Sequence, residues 1–307
     1  MTASLRFRVR RLALVALAPW LASACRSPTE SSAPVEASAS ASPALPPREL
    51  DETVVPPLRR TNPNPLDLPM TGGTFAEGAF VYAVPERMLA TAKPGLSLEL
   101  RAARVEAMDG RDVIVRIGTG MAYSIHPAYL VAPRPGRVQR GTRVIVPHRE
   151  RLRHGVVQRQ NRNHIVVRYS DVGASLGEQS ILAEEVGVLG TDLEPGSYAL
   201  HRGDRGTRLV QLVSSGSHPD GVVRWLALGA EGEALLLTAS EVAPVPNGRN
   251  LKPGSTVLVA WRGEMVPGTV RALEPTGLVA VKRPRVGPTL IVGPDMIVSD
   301  PTGTPTE

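Results

Sequence analysis

The chain has 307 residues, with 35 Lys and Arg against 29 Asp and Glu, and one cysteine. A single thiol excludes an internal disulfide framework, so any fold must be held by its core alone. The alkaline balance does not argue for nucleic acid, because Arg6, Arg8, Arg10 and Arg11 precede every acid and without them 31 bases face 29 acids.

Those four arginines open into the apolar run Leu12–Leu21, which ends in Ala22-Ser23-Ala24-Cys25. A basic start, a short apolar run and small residues form the pattern of an export signal. The run falls short of the about 20 apolar residues that a spanning helix needs. Cys25, the sole cysteine, stands directly behind the small residues, and the segment resembles the lipobox of bacterial lipoproteins. It departs from the commonest form in having Ala22 three residues before the cysteine. The resemblance implies cleavage before Cys25 and acylation of its thiol. Several acyl chains give firm anchorage, since each buried methylene contributes about 0.8 kcal/mol. In that family, aspartate after the cysteine usually retains a lipoprotein at the inner membrane. Arg26 stands there instead, which implies the outer membrane, periplasmic side.

From Arg26 to about Met70 the sequence is rich in Pro, Ala and Ser, with little apolar area to offset the ordering of its backbone. Its prolines also block ladders and helix interiors. It reads as a disordered tether.

Beyond Gly72, short runs of Val, Ile, Leu and Thr alternate with Gly, Pro, Asn and Asp, which is an all-β pattern. The pattern repeats. A base follows an aliphatic pair at Arg116, Arg168, Arg224 and Lys282, and pairs of aliphatic residues follow at Ile125 and Leu130, Ile181 and Val186, Leu237 and Val242, and Ile291 and Met296. Each repeat opens on a turn glycine before an extended run, at Gly78, Gly141, Gly196 and Gly254. Five short strands in so few residues can close into a barrel that protects its edges. The order of strands, loops and turns resembles the SH3-like barrels, in particular the Tudor and Agenet branch, across residues 75 to 300. A five-stranded OB-like barrel or a sandwich of paired repeats remains open from the residues themselves.

The expected organisation is all-β, four tandem small SH3-like barrels after a disordered tether. The leader is 1–24, the tether 25–74, the modules 75–134, 135–190, 191–246 and 247–301, and a tail 302–307. Modules this small are marginal alone, so they should lean on one another, as tandem pairs or a semi-rigid rod with proline-containing joints.

Chemistry-bearing motifs are sparse. The chain lacks a phosphate loop and a His-Glu-x-x-His pair. No catalytic residue, metal site or cofactor is expected. His148, His154 and His164 read as surface histidines among arginines, and Asp171, Asp220 and Asp295 as turn residues whose side chains bond their own backbone. Tudor modules use aromatic cages to select methylated cations, yet the aromatics here are thinly spread. Trp225 reads as packing, and only the first module, with Phe75, Phe80, Tyr82, Tyr123 and Tyr129, has enough for a groove.

The second module carries the strongest anomaly. Ten arginines from Arg134 to Arg168 face only Glu150. Guanidinium forks suit phosphate and carboxylate, and loops at one end of a barrel can converge. Arg149, Arg151, Arg153, Arg159 and Arg162 are therefore the candidate anion contacts. The expected role is a non-enzymatic envelope lipoprotein, attached to the membrane by its lipid, that binds an anionic envelope component or an acidic protein partner. Nucleic acid is not expected. Alternatives are a structural subunit of a secretion, motility or cell-wall complex, or a hydrolase with a site between modules.

Overall fold

Val105, Val157, Leu212 and Val270 occupy one recurring position: each sits beside a bulge in the second strand of its module, and each accepts a backbone hydrogen bond from a turn glycine. The donors are Gly78, Gly141, Gly196 and Gly254, at 2.7 to 2.8 Å. All four glycines have φ between 77° and 91°, the left-handed region that a side chain resists, which is why glycine opens every repeat. The computed structural model that shows this describes residues 61–69, 75–171, 177–203, 206–246, 250–284 and 287–299. Cys25, most of the tether and the tail lie outside the described residues.

The fold is all-β, with four SH3-like modules of identical strand order, last-first-second-third-fourth. The first contains β1 (Phe80–Ala83), β2 (Arg101–Asp109), β3 (Asp112–Arg116), β4 (Tyr123–Ile125) and β5 (Leu130–Val131), with a short helix α1 (Glu86–Leu89) after β1. The second contains β6 (Arg143–His148), β7 (Arg151–Asn161), β8 (His164–Tyr169), β9 (Glu178–Leu182) and β10 (Gly187–Val188). The third contains β11 (Tyr198–Gly203), β12 (Gly206–Ser217), β13 (Val223–Leu228), β14 (Ala234–Thr238) and β15 (Val242–Pro244). The fourth contains β16 (Thr256–Trp261), β17 (Glu264–Leu273), β18 (Val279–Lys282), β19 (Leu290–Val292) and β20 (Ile297–Ser299). A 3-10 turn precedes the last strand in modules one, two and four, at Pro127–Tyr129, Ala183–Glu185 and Pro294–Met296. In the third, Glu241 accepts from the Thr238 N–H and hydroxyl and closes an ordinary turn.

Register corrects two repeat equivalences. Arg116, Arg168 and Lys282 pair with Arg104, Val156 and Thr269, two positions before the bulge. In the third module that place belongs to Leu228, opposite Gln211, while Arg224 lies four residues earlier, opposite Gly216. The unbroken apolar run Trp225-Leu226-Ala227-Leu228 offers no polar mark to fix register. Exposed Val222 and Val223 at the hairpin end imitate the core pair. In the fourth module the buried pair is Val292 and Ile297 rather than Ile291 and Met296, one residue on.

Modules two, three and four each bury their own aliphatic cluster. The first module's core instead continues into its neighbours through Ile145, Leu152 and Leu189 on one side and Val213, Leu226 and Leu228 on another. Strand alternation explains Ile145: Val144 and Val146 fill their own barrel, and the residue between them faces the next. The five aromatics of the first module also serve this core. Tyr82, Tyr123 and Tyr129 are buried, with Phe75 and Phe80 packed against the same cluster.

The modules pair by strand contact, β2 with β7 at Arg101 and Arg151, and β12 with β17 at Arg208 and Glu264. They do not make a rod. Module one also meets module three, where Leu98 N–H donates to Gly232 carbonyl at 2.7 Å and Ser97 bridges Glu233. Module two meets module four, where Arg140 and Gln158 donate to the Pro275 and Thr276 carbonyls at 2.9 Å. Barrels whose small cores gain from covering one another cluster rather than string out.

Candidate functional site

Where the modules meet, they leave a cleft of about 1010 Å³ lined by residues of all four. The β6–β7 hairpin supplies the basic end. Its turn places Arg149 and Glu150 at φ 48° and 67°, and alternation along β7 puts Arg151 and Arg153 on one face. The opposite face of β7 carries Leu152, His154 and Val156, all buried.

Glu99, from the segment leading into β2, lies among three guanidiniums: Arg101 at 2.5 Å, Arg151 at 3.0 Å and Arg87 at 3.9 Å. Arg101 also reaches Glu150 at 3.5 Å. Next along β7, Arg153 stands 3.9 Å from Asp171. The far wall is different in character. Leu209, Leu228 and Ala260 are buried there, Trp261 and Leu290 are half-buried, and Arg283 stacks on the Trp261 ring at 4.1 Å.

Behind the cleft is a buried polar cluster joining three modules. His154 Nδ1 lies 2.8 Å from Asp295 Oδ2, and His154 Nε2 donates to the Gly196 carbonyl at 2.8 Å. The Tyr198 ring stacks on the imidazole with centroids 3.9 Å apart. Asp171 Oδ2 accepts from the His154 backbone N–H at 3.1 Å and from the Tyr198 hydroxyl at 3.2 Å. Burial raises the Asp171 carboxyl above its ordinary range against the pull of His154 and Arg153, and burial raises the Tyr198 hydroxyl well above its own. For Asp295, burial pushes upward, but the hydrogen bond and charge of His154, with the field of Arg143, hold the carboxyl below its ordinary value.

The geometry fixes the proton count of the pair. A carbonyl only accepts, so Nε2 carries a proton, and a second proton lies between Nδ1 and Oδ2. Imidazolium with carboxylate, or imidazole with carboxylic acid, is net neutral either way, and a neutral pair is the affordable one in a dry interior. Gln211 must then turn its amide oxygen, not its nitrogen, toward Nε2.

Three sequence expectations change here. His154 is a core residue, with 1% of its side chain exposed. Asp171 and Asp295 serve the cluster rather than their own turns, whereas Asp220 does accept from the Val222 N–H two residues on. The alternation Leu152-x-His154-x-Val156 was the available signal that His154 faces inward. Nothing local marks Asp295 as its partner, 141 residues away.

The five candidate arginines do not form one group. Arg151 and Arg153 line the cleft and Arg149 sits on the adjacent turn, but Arg159 and Arg162 lie at the other end of β7. Consecutive hairpins of a meander fall at opposite ends of the shared strand, about 30 Å apart for a strand of this length. Much of the surrounding arginine excess is spent inside the protein, between modules through Arg134 to Glu194 and Arg140 to Pro275, and within module two through Arg143 to the Gly190 carbonyl. Among the described residues, no group of three His, Cys, Asp or Glu is placed to hold a metal.

Fold and cleft together define an assembly of small five-stranded barrels with a shared inter-module cleft. No family model matches the chain, and no curated protein matches it. Among solved structures, it is similar to the crystal structure of Arabidopsis thaliana AGDP1 AGD34, at 12% identity over 38% of this chain and 82% of that one, with a TM-score of 0.22.

Proposed function

We propose that this chain is a non-enzymatic, lipid-anchored protein of the outer membrane's periplasmic side, whose four modules form a scaffold that holds a ligand in their common cleft. The observation that carries the reading is the cleft itself, at the upper end of the size range of ligand sites and built from all four modules. Binding rather than catalysis is supported by the sealing of the His154–Asp295 pair. Asp295 and His154 side chains are 6% and 1% exposed, and both ring nitrogens are spent inside the protein. A general base must reach the proton it abstracts.

The anchor and the site are tested in one experiment on the full chain in its native envelope. A photo-crosslinking amino acid is placed at Met88 or Thr289 in the cleft wall, or at Met121, which is 78% exposed and outside the cleft. The reading expects specific adducts from the first two positions only, and release of the chain to the soluble fraction by Cys25→Ser. Equal adducts from Met121, or none from the cleft, would overturn the site. An unacylated native Cys25 would overturn the anchor.

A further inference from the structure

We infer that the cleft takes an extended peptide segment in which acidic and apolar side chains alternate, an inference that rests on the cleft being the ligand site. Its two sides differ in chemistry: guanidiniums of Arg87, Arg101 and Arg151 at modules one and two, and at module four the half-buried Leu290 and Ile291 beside Trp261, whose ring carries Arg262 and Arg283. An extended chain sends successive side chains to opposite sides. A ligand with period two therefore meets both walls at once.

The cationic wall has donors to spare. Each guanidinium carries five N–H groups and Glu99 offers about four acceptor sites, so the three arginines are far from satisfied by it. The Arg87 and Arg151 side chains remain 72% and 53% exposed, with Glu99 tucked beneath at 17%. A second carboxylate can be gripped without displacing the first.

The apolar wall argues against a lipid. Gln211, Thr289 and Glu231 interrupt it, whereas an acyl chain gains most from continuous apolar enclosure. Leucine-sized side chains seated singly on Leu290 and Ile291 need no such tunnel. At about 3.3 Å per residue, a segment of roughly five residues spans some 16 Å.

The test measures binding to the full chain in lipid nanodiscs by fluorescence anisotropy, with four labelled probes: N-acetyl octapeptides alternating Glu with Leu, Glu with Ser, and Lys with Leu, and dodecyl phosphate. The Glu–Leu peptide should bind best, the Glu–Ser peptide about tenfold more weakly, and the Lys–Leu peptide not measurably. Combining Arg87→Gln with Arg151→Gln, both at exposed positions, should weaken the Glu–Leu peptide by about tenfold while leaving the thermal midpoint unchanged. Equal binding of the Lys–Leu peptide, tighter binding of dodecyl phosphate, or indifference to the arginine changes would overturn the inference. If Met88 and Thr289 still form adducts with a non-peptide component, the cleft stands and only its ligand class falls. If those positions form none, both fall.

Discussion

His154 Nδ1 and Asp295 Oδ2 meet at 2.8 Å although 141 residues separate them, so one buried pair fastens the second module to the fourth. Removing one partner leaves the other's polar group buried and unpaired, which costs about 3–5 kcal/mol when the group keeps its charge. Asp295→Ala and His154→Ala are each expected to lower stability on that scale. The double variant should lose clearly less than the two losses together. A double-mutant cycle in urea measures this, and simple additivity would mean that the pair does not couple.

Acid should loosen this junction. The Asp295 carboxyl lies below its ordinary value in the folded protein, so its contribution is fully present above the unfolded value of about 3.9 and is lost as pH falls through the lower folded one. Asp171 has the opposite sign: its raised carboxyl opposes folding once pH exceeds the unfolded value. Unfolding midpoints followed from pH 6 downward should therefore show an acid-sensitive step that Asp295→Asn flattens. Near neutrality, Asp171→Asn should stabilise or be neutral, since its amide oxygen still accepts from His154 N–H and Tyr198. A large loss in Asp171→Asn would show that the ionised carboxylate is needed there.

A glycine at the contact of modules one and three offers a cleaner probe of their packing. Gly232 has φ +83°, and a Cβ there would stand 2.5 Å from the Leu98 carbonyl and 2.8 Å from Ser97 Oγ. Gly78 has nearly the same φ, +77°, and open space around it. Gly78→Ala should cost only the left-handed conformation, about 1–2 kcal/mol. Gly232→Ala should cost more, since the Leu98 to Gly232 hydrogen bond must also give way. Equal losses in chemical denaturation would mean that the two modules separate without penalty.

The barrels were legible because their causes are local. Turn glycines such as Gly141 and Gly196, aliphatic alternation and the regular spacing of repeats each reflect one strand or one turn. The register of the third repeat was not, because in Trp225-Leu226-Ala227-Leu228 every shift of the frame still buries something apolar. The cleft was half legible. Arg151 and Arg153 were singled out by charge, but Glu99 and Asp295 arrive from other modules, and Asp171 from the end of β8, through contacts that no local pattern records. Arginine excess had the same ambiguity: Arg140 and Arg143 end on carbonyls of neighbouring segments, and only the assembled structure separates such bonds from ligand-facing donors.

That separation yields a test of the arginines themselves. Arg151 lies at the cleft with its side chain 53% exposed, while Arg159 and Arg162 are exposed at the opposite end of the same strand. Exposed ion pairs contribute roughly 0 to 1 kcal/mol each and are screened by salt beyond about 10 Å at ordinary ionic strength. Charges some 30 Å from the cleft should therefore contribute almost nothing to binding there. Arg159→Gln with Arg162→Gln is expected to leave affinity for the Glu–Leu octapeptide within about twofold of the parent, whereas Arg151→Gln with Arg153→Gln should reduce it by about tenfold. Affinity of the parent should fall as salt rises, and the fall should be shallower in the second variant because two of the responsible charges are gone. A first variant as impaired as the second would point to a diffuse field over the whole module, and the cleft would lose its claim to be the place where the arginines act.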